Sequence, residues 1–168
     1  MKNKKVKKII ITAIAQNGII GSKGKLPWDI KEELKHFKET TKGSPVLFGR
    51  ITFESFGKPL KDRLNIVISK TFSKSKMREN VLSFSSLKKA NEFLEENDYE
   101  KVFICGGRNI YKAELDKSDE MIISWMKFFA EGDTKFPEIN FNNWEISGRK
   151  DYKEFEVVYY KSKKKPKI

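Results

Sequence analysis

The chain has one cysteine and one histidine in 168 residues. A lone Cys105 excludes an intrachain disulfide and any metal site made of several cysteines. Its setting in VFICGG reads as a buried strand residue rather than a nucleophile. A lone His36 leaves almost no material for a Ser-His-Asp triad or a multi-histidine metal centre, so no metal is expected. No apolar run approaches the ~20 residues of a membrane span. The first residues imitate a signal peptide, with a basic start, IIIT and then Ala13-Ile14-Ala15. The apolar stretch, about six residues, is shorter than the usual ~7–15. A strand that opens the fold explains it better, and a cytoplasmic protein is expected. Neither a Walker A loop nor a G-x-G-x-x-G fingerprint is present, and there is no repeat or internal linker.

What the chain has in excess is positive charge, +12 overall. That suggests an acidic partner: nucleic acid, a membrane surface or a multiply charged small molecule. Much of the excess sits in MKNKKVKK and KSKKKPKI, which read as solvated tails at about 1–5 and 162–168. With 38% hydrophobic residues the rest is an ordinary globular chain, long enough for one domain over 1–168.

Strand and helix patterns alternate along the sequence. KKIIITAIA, SPVLFG, LNIVIS, VLSF and KVFICGG read as strands with little alternation, as in the buried middle of a parallel sheet. RITFESF, SSLKKANEFLEEN and RNIYKAEL read as helices. DEMIISWMKFF and EFEVVYYK are two further strands with no helix signal between them, and are expected to pair antiparallel. The expected fold is α/β: one domain with a central, mostly parallel twisted sheet of about eight strands, an antiparallel C-terminal strand and about four flanking helices.

The stretch KGKLPWDIKEELKHFKETTKG, Lys23 to Gly43, poses the main chemical question. It reads as a loop, an N-cap at Asp29 with Glu32 completing a capping box, and a helix stopped by Gly43. At about 100° per residue, Ile30, Leu34, Phe37 and Thr41 form one stripe. Lys31, Glu32, Lys35 and Glu39 fall on the solvent side, and His36 on the polar side. Glu33 falls at the stripe's edge. A carboxylate facing a core costs several kcal/mol unless it is paired. Either the helix is rotated so that Glu33 reaches solvent, or Glu33 stands at the rim of an apolar pocket, awaiting a polar ligand.

Strand-then-glycine-then-helix occurs twice, in VLFGRIT and FICGGRNIY, each with an arginine. Both turns are candidates for holding phosphate on free helix N–H groups. Tight structural turns explain the same residues.

Taken together, NGIIGSKGKLPW, DIKEELKHFKETT, VLFGRITFESFGKPLKDRLNIVIS, VFICGGRNIY and EGDTKFP resemble the dihydrofolate reductase family, in its order and at about its spacing, from about Val6 to Tyr160. The resemblance implies reduction of dihydrofolate to tetrahydrofolate with NADPH, by hydride transfer to the pterin and protonation of the adjacent ring nitrogen. It makes Glu33 the buried active-site acid, Trp28 the holder of an ordered water beside it, and Ser124 a hydroxyl that hydrogen-bonds the carboxylate. Ile11, Thr12, Phe37 and Arg63 are implied in substrate binding, Arg63 as a fork on the glutamate tail. Ala13, Ile20, Gly21, Gly49, Arg50, Thr52, Cys105, Gly106, Gly107, Arg108, Asn109, Ile110 and Tyr111 are implied in cofactor binding. Ser69 and Lys70 are implied near the 2′-phosphate. Asn17 to Trp28 becomes a loop that closes over the site, braced by Asp133. Antifolate inhibitors are implied as further ligands of a monomer.

The chain departs from the family at Ile51, where many relatives carry a basic residue, at Phe48 and Phe53, and at Ser124, where Thr is usual. The pyrimidine reductase of riboflavin synthesis has a similar fold but lacks the LPW loop followed by a helix carrying a buried Glu. A nucleic-acid-binding role has only the net charge and a few aromatics behind it, with no recognition motif.

Overall fold

A computed structural model describes residues 5–72 and 80–164 of the chain. Eight strands form one sheet: β1 Lys7–Ile14, β3 Val46–Gly49, β4 Asn65–Ile68, β5 Val81–Phe84, β6 Lys101–Ile104, β7 Glu120–Met126, β9 Trp144–Asp151 and β10 Phe155–Ser162. Their order is β5-β4-β3-β6-β1-β7-β10-β9. From β5 to β7 every neighbouring pair is parallel, while β10 runs antiparallel to both β7 and β9. Two short strands outside it, β2 Ile19–Gly21 and β8 Thr134–Lys135, pair with each other. Four helices complete the fold: α1 Lys31–Thr41, α2 Arg50–Ser55, α3 Leu87–Glu96 and α4 Arg108–Glu114.

β1 shows why its residues run apolar without alternation. Ile10 and Ile14 enter one core, with Leu94 of α3 and Tyr111 of α4. Ile9, Ile11 and Ala13 enter the other, packed by Phe37 of α1 and Phe53 of α2. Successive side chains leave opposite faces of a strand, so a strand covered by helices on both faces must be apolar at every step. The expected α/β fold, its mostly parallel sheet and its antiparallel C-terminal strand are all present.

The structure corrects several local expectations. Asp29 does not cap α1: the N-cap is Ile30, in extended conformation, with no side-chain cap bond. Ile30 packs into the second core instead, and that apolar contact outweighs the ~1 kcal/mol of a cap. His36 is not on a polar face but buried. Measured against the predicted stripe, α1 is turned by roughly 50° at 100° per residue, so Glu33 and His36 come inward. β9 was not anticipated. It is an edge strand that buries little beyond Trp144. The expected C-terminal tail begins later than 162: β10 runs through Ser162, and Lys163 N donates to Asn143 O at 2.9 Å. Residues 1–4 and 165–168 of the expected tails, and residues 73–79, lie outside the described residues.

Candidate functional site

A cleft of about 980 Å³ opens where β1, β3 and β6 end at their carboxyl edges. That is within the size range of small-molecule sites, and it lies at the end of an α/β sheet where ligands usually bind. Its floor comes from Ile11, Thr12 and Ala13 of β1. One wall is α1, presenting Glu33, Leu34 and Phe37. The other wall is made by the turns into α2 and α4.

Glu33 is 8% exposed and lines the cleft. Burial pushes its carboxyl up to about 7, and burial is the one cause: no hydrogen bond from Ser124 or Trp28 holds the anion. Leu34, placed in the core-facing stripe by periodicity, is instead 38% exposed because it faces this cleft. Phe37 stacks on Phe56 at 6.1 Å between ring centroids, which fixes the rotation of α1 and hence the direction of Glu33. Trp28 Nε1 and His36 Nε2 are buried side-chain nitrogens without a hydrogen-bond partner among the described residues. Buried donors of this kind demand a partner such as water or ligand. Burial, then Lys150, pushes the His36 imidazolium pKa down.

The glycine turns sit side by side because β3 and β6 are neighbours, and Gly49 N donates to Gly106 O at 2.9 Å. The Gly106–Gly107 peptide is cis. A Cβ on Gly107 would stand 3.1 Å from Thr52 Oγ1, so a side chain there would fill the cradle. Arg50 pairs with Glu54 at 2.5 Å, and Arg108 donates to Lys135 O at 2.9 Å. Cys105 is buried beside the turn, where burial raises its thiol pKa far above the ordinary range and keeps it protonated.

The loop from Asn17 to Trp28 carries β2, which pairs with β8. Asp133 accepts from Lys23 N at 3.1 Å and from Thr134 Oγ1 at 2.8 Å, and these bonds, the threonine's first, lower its pKa. The expected brace between Asp133 and this loop is therefore formed.

Most of the sequence-predicted residues meet in this one cleft: Ile11, Thr12, Ala13, Ile20, Gly21, Glu33, Phe37, Gly49, Arg50, Thr52, Ser69 and the run Cys105 to Tyr111 all line it. Trp28, Arg63, Lys70 and Ser124 do not. Trp28 packs edge-on against Phe128 at 5.6 Å. Ser124 is buried in β7, opposite Ala13. Lys70 is exposed, between Ser69 and Thr71, which both line the cleft. Arg63 is held against α1 just outside the cleft. Sequence reasoning did not name Ser55, Phe56, Ile68, Thr71 or Thr134 as lining residues, and it covered Lys25 and Leu26 only as part of the closing loop. Leu26 carried a signal, being a large apolar residue flanked by Lys25 and Pro27 in a loop with no core to enter. The others carried none.

Comparisons with known proteins agree with this geometry. A family model described as dihydrofolate reductase matches residues 8–164. The dihydrofolate reductase of Haemophilus influenzae is 35% identical over 137 residues, 82% of each chain. The dihydrofolate reductase HdrB of Haloferax volcanii is 33% identical over 164 residues, 94% of this chain and 84% of that one. The solved structure of Enterococcus faecalis dihydrofolate reductase, complexed with NADP(H) and RAB-propyl, superposes with a TM-score of 0.84. It is 29% identical and covers 95% of this chain and 98% of its own. The chain belongs to the dihydrofolate reductase family.

Proposed function

We propose that this chain reduces 7,8-dihydrofolate to 5,6,7,8-tetrahydrofolate with NADPH as reductant. The observation that carries the reading is a buried carboxyl, Glu33, facing the same cleft as the paired glycine turns. An apolar cleft with one buried acid matches a flat, weakly basic heterocycle whose amino group and ring N–H form a planar donor edge.

NADPH, when bound, supplies the hydride that reaches carbon 6 of the pterin. Its pyrophosphate is assigned to the turns at Gly49–Thr52 and Gly106–Asn109, where the Gly107 cradle leaves backbone open to close approach. Ser69 and Thr71 are assigned to the 2′-phosphate, with Lys70 at the rim. In the complex Glu33 is ionised, accepts two hydrogen bonds from the pterin's donor edge and polarises the ring; in the unliganded cleft its raised pKa lets it hold a proton near neutral pH. The unpartnered Trp28 Nε1 suits a water that carries the proton to nitrogen 5. Ile20, Leu26 and Phe37 exclude bulk water from the reacting atoms. Arg63 binds the glutamate tail of folate, and antifolates that copy the pterin's donor edge occupy the same cleft. The reading includes a cytoplasmic monomer without a nucleic-acid partner. No helix among the described residues is long and apolar enough to cross a membrane, and no His/Cys/Asp/Glu cluster among them has a metal site's make-up.

The test is to mix the protein with NADPH and dihydrofolate and follow NADPH absorbance. Decay dependent on both is expected. Folded protein with no decay overturns the reading.

A further inference from the structure

The loop between β2 and α1 separates two cavities. Lys25 and Leu26 line the main cleft from one side. From the other side they line a second, shallower and more open cavity, bordered by Phe128 to Glu131 in the segment after β7. Two seams hold these segments together and fix the cavity between them. At one end the Asn17 side chain donates to Ala130 O at 2.8 Å and accepts from Ala130 N at 3.2 Å. At the other, Lys23 N donates to the Asp133 carboxylate, and Gly132 comes so close to the loop that a Cβ there would stand 2.4 Å from Gly21 O.

The chemistry of the second cavity is specific. Phe129 is 74% exposed and Leu26 is 50% exposed, two large apolar side chains presented to water around one opening. Lys23 and Lys25 add two positive charges against the single negative charge of Glu131. Neither Lys23 nor Phe129 lines the main cleft. An apolar body would cover Phe129 and Leu26, and an anionic group would sit between the two ammonium groups.

We propose that this second cavity binds a small aromatic anion, an apolar aromatic body bearing a single carboxylate or sulfonate. Its occupancy alters ligand affinity in the main cleft through the shared Lys25–Leu26 wall. A ligand on one face of a thin loop must favour one position of that loop, and coupling follows from that difference. The binding half stands on the second cavity alone; the coupling half also rests on the reductase reading.

The probe is 8-anilinonaphthalene-1-sulfonate, titrated into the full chain saturated with NADPH and folate, so that the main cleft is filled. One saturable site is expected. Lys23→Glu with Phe129→Ser should weaken it at least about tenfold, and Lys23→Gln alone by less. Ile146→Ser, on exposed β9, should leave it unchanged. With folate omitted, saturating probe should shift the NADPH dissociation constant at least about fivefold, and NADPH should shift the probe's constant by the same factor. Probe binding that vanishes when the main cleft is filled, or that ignores the Lys23 and Phe129 changes in folded variants, overturns the site. Probe binding with the expected residue dependence but without any shift overturns the coupling. A chain that takes the probe but never binds NADPH refutes the reductase reading and leaves the second cavity standing.

Discussion

Arg63 Nη1 donates to Thr41 Oγ1 at 2.8 Å, and Thr41 Oγ1 in turn donates to Phe37 O at 2.9 Å. The same guanidinium reaches Lys38 O at 3.2 Å through Nη1 and Lys61 O at 2.6 Å through Nε. The last turn of α1 therefore orients Arg63 before a ligand arrives, so little side-chain entropy is left to lose on binding. Arg63→Leu should raise KM for dihydrofolate by two to three orders of magnitude, on the scale of the ~2–5 kcal/mol lost with a buried charge pair. Thr41→Val should raise it less, about tenfold, because it removes one hydrogen bond to a charged group. Steady-state kinetics with dihydrofolate and with a pterin lacking the glutamate tail separate the cases. Equal losses on both substrates would make Arg63 structural.

Glu33 imposes a pH dependence whose sign follows from its raised pKa. The folded state holds a proton between the ordinary value of 4.5 and about 7, where the unfolded chain has released it. The unliganded protein therefore loses stability as pH rises through that window, by about 3 kcal/mol once complete. Glu33→Gln should be more thermostable than the parent at pH 8, and the gap should close towards pH 4.5. Its hydride-transfer rate near neutral pH should fall by about 10²–10⁴-fold, the usual contribution of such proton chemistry. NADPH affinity should be nearly unchanged. Normal single-turnover hydride transfer in the Gln variant would remove Glu33 from the chemistry.

Where the sequence pattern and the packing reported the same thing, the sequence was enough. The stripe of Leu87, Ala90 and Leu94 placed α3, with Ser86 capping it through Lys89 N. The unbroken apolar run of β1 placed a central strand. α1 was legible as a helix but not in its rotation. Periodicity gives relative angles only; the stacking of Phe37 on Phe56, a residue from another helix's end, decides which arc faces inward. β9 was invisible because an edge strand with Glu145, Ser147, Arg149 and Lys150 exposed gives no apolar alternation, and its register comes from β10. β2 and β8 exist only through each other. In the site, the glycine turns and Glu33 stood out by their chemistry, but periodicity and spacing left a structural turn and a solvated carboxylate open, and the family resemblance chose between them. Phe56 and Thr134 did not stand out, since nothing local distinguishes a cleft-lining residue from a core or loop residue.

Lys8 and Glu114 make the most buried ion pair of the described residues, with Nζ to Oε2 at 2.9 Å and side chains 13% and 1% exposed. The pair ties β1 to the end of α4, so it holds the strand that floors the cleft against the helix that follows the Gly106 turn. Glu114→Leu alone leaves the Lys8 ammonium buried and unpaired, and should cost about 3–5 kcal/mol. Lys8→Met with Glu114→Leu should recover most of that loss, because an apolar pair of similar volume needs no compensation. Urea unfolding of the two singles and the double gives the coupling. Single variants each within about 0.5 kcal/mol of the parent would show that the pair is solvated in solution.

Gly106 is held at φ +115, a conformation that L side chains rarely adopt. An added Cβ would also stand 3.3 Å from the Tyr111 ring and hydroxyl. That hydroxyl donates to Ile11 O at 2.9 Å, joining α4 to the stretch of β1 that floors the cleft. Gly106→Ala therefore has to strain its own backbone and push Tyr111 away from Ile11. Strain of this kind costs about 1–3 kcal/mol, and a lost buried hydrogen bond about 1 more. Gly43 is the control, because its φ is +79 but a Cβ there meets nothing within 4 Å. Gly43→Ala should cost about 1 kcal/mol and leave NADPH binding unchanged. Gly106→Ala should cost about 2–4 kcal/mol and weaken NADPH binding at least about tenfold, since the distorted turn is the one assigned to the pyrophosphate. Both are read by urea unfolding and NADPH titration. If the two variants lose equal stability and both bind NADPH like the parent, the Gly106 turn takes no part in holding the cofactor, and its glycine serves the chain path alone.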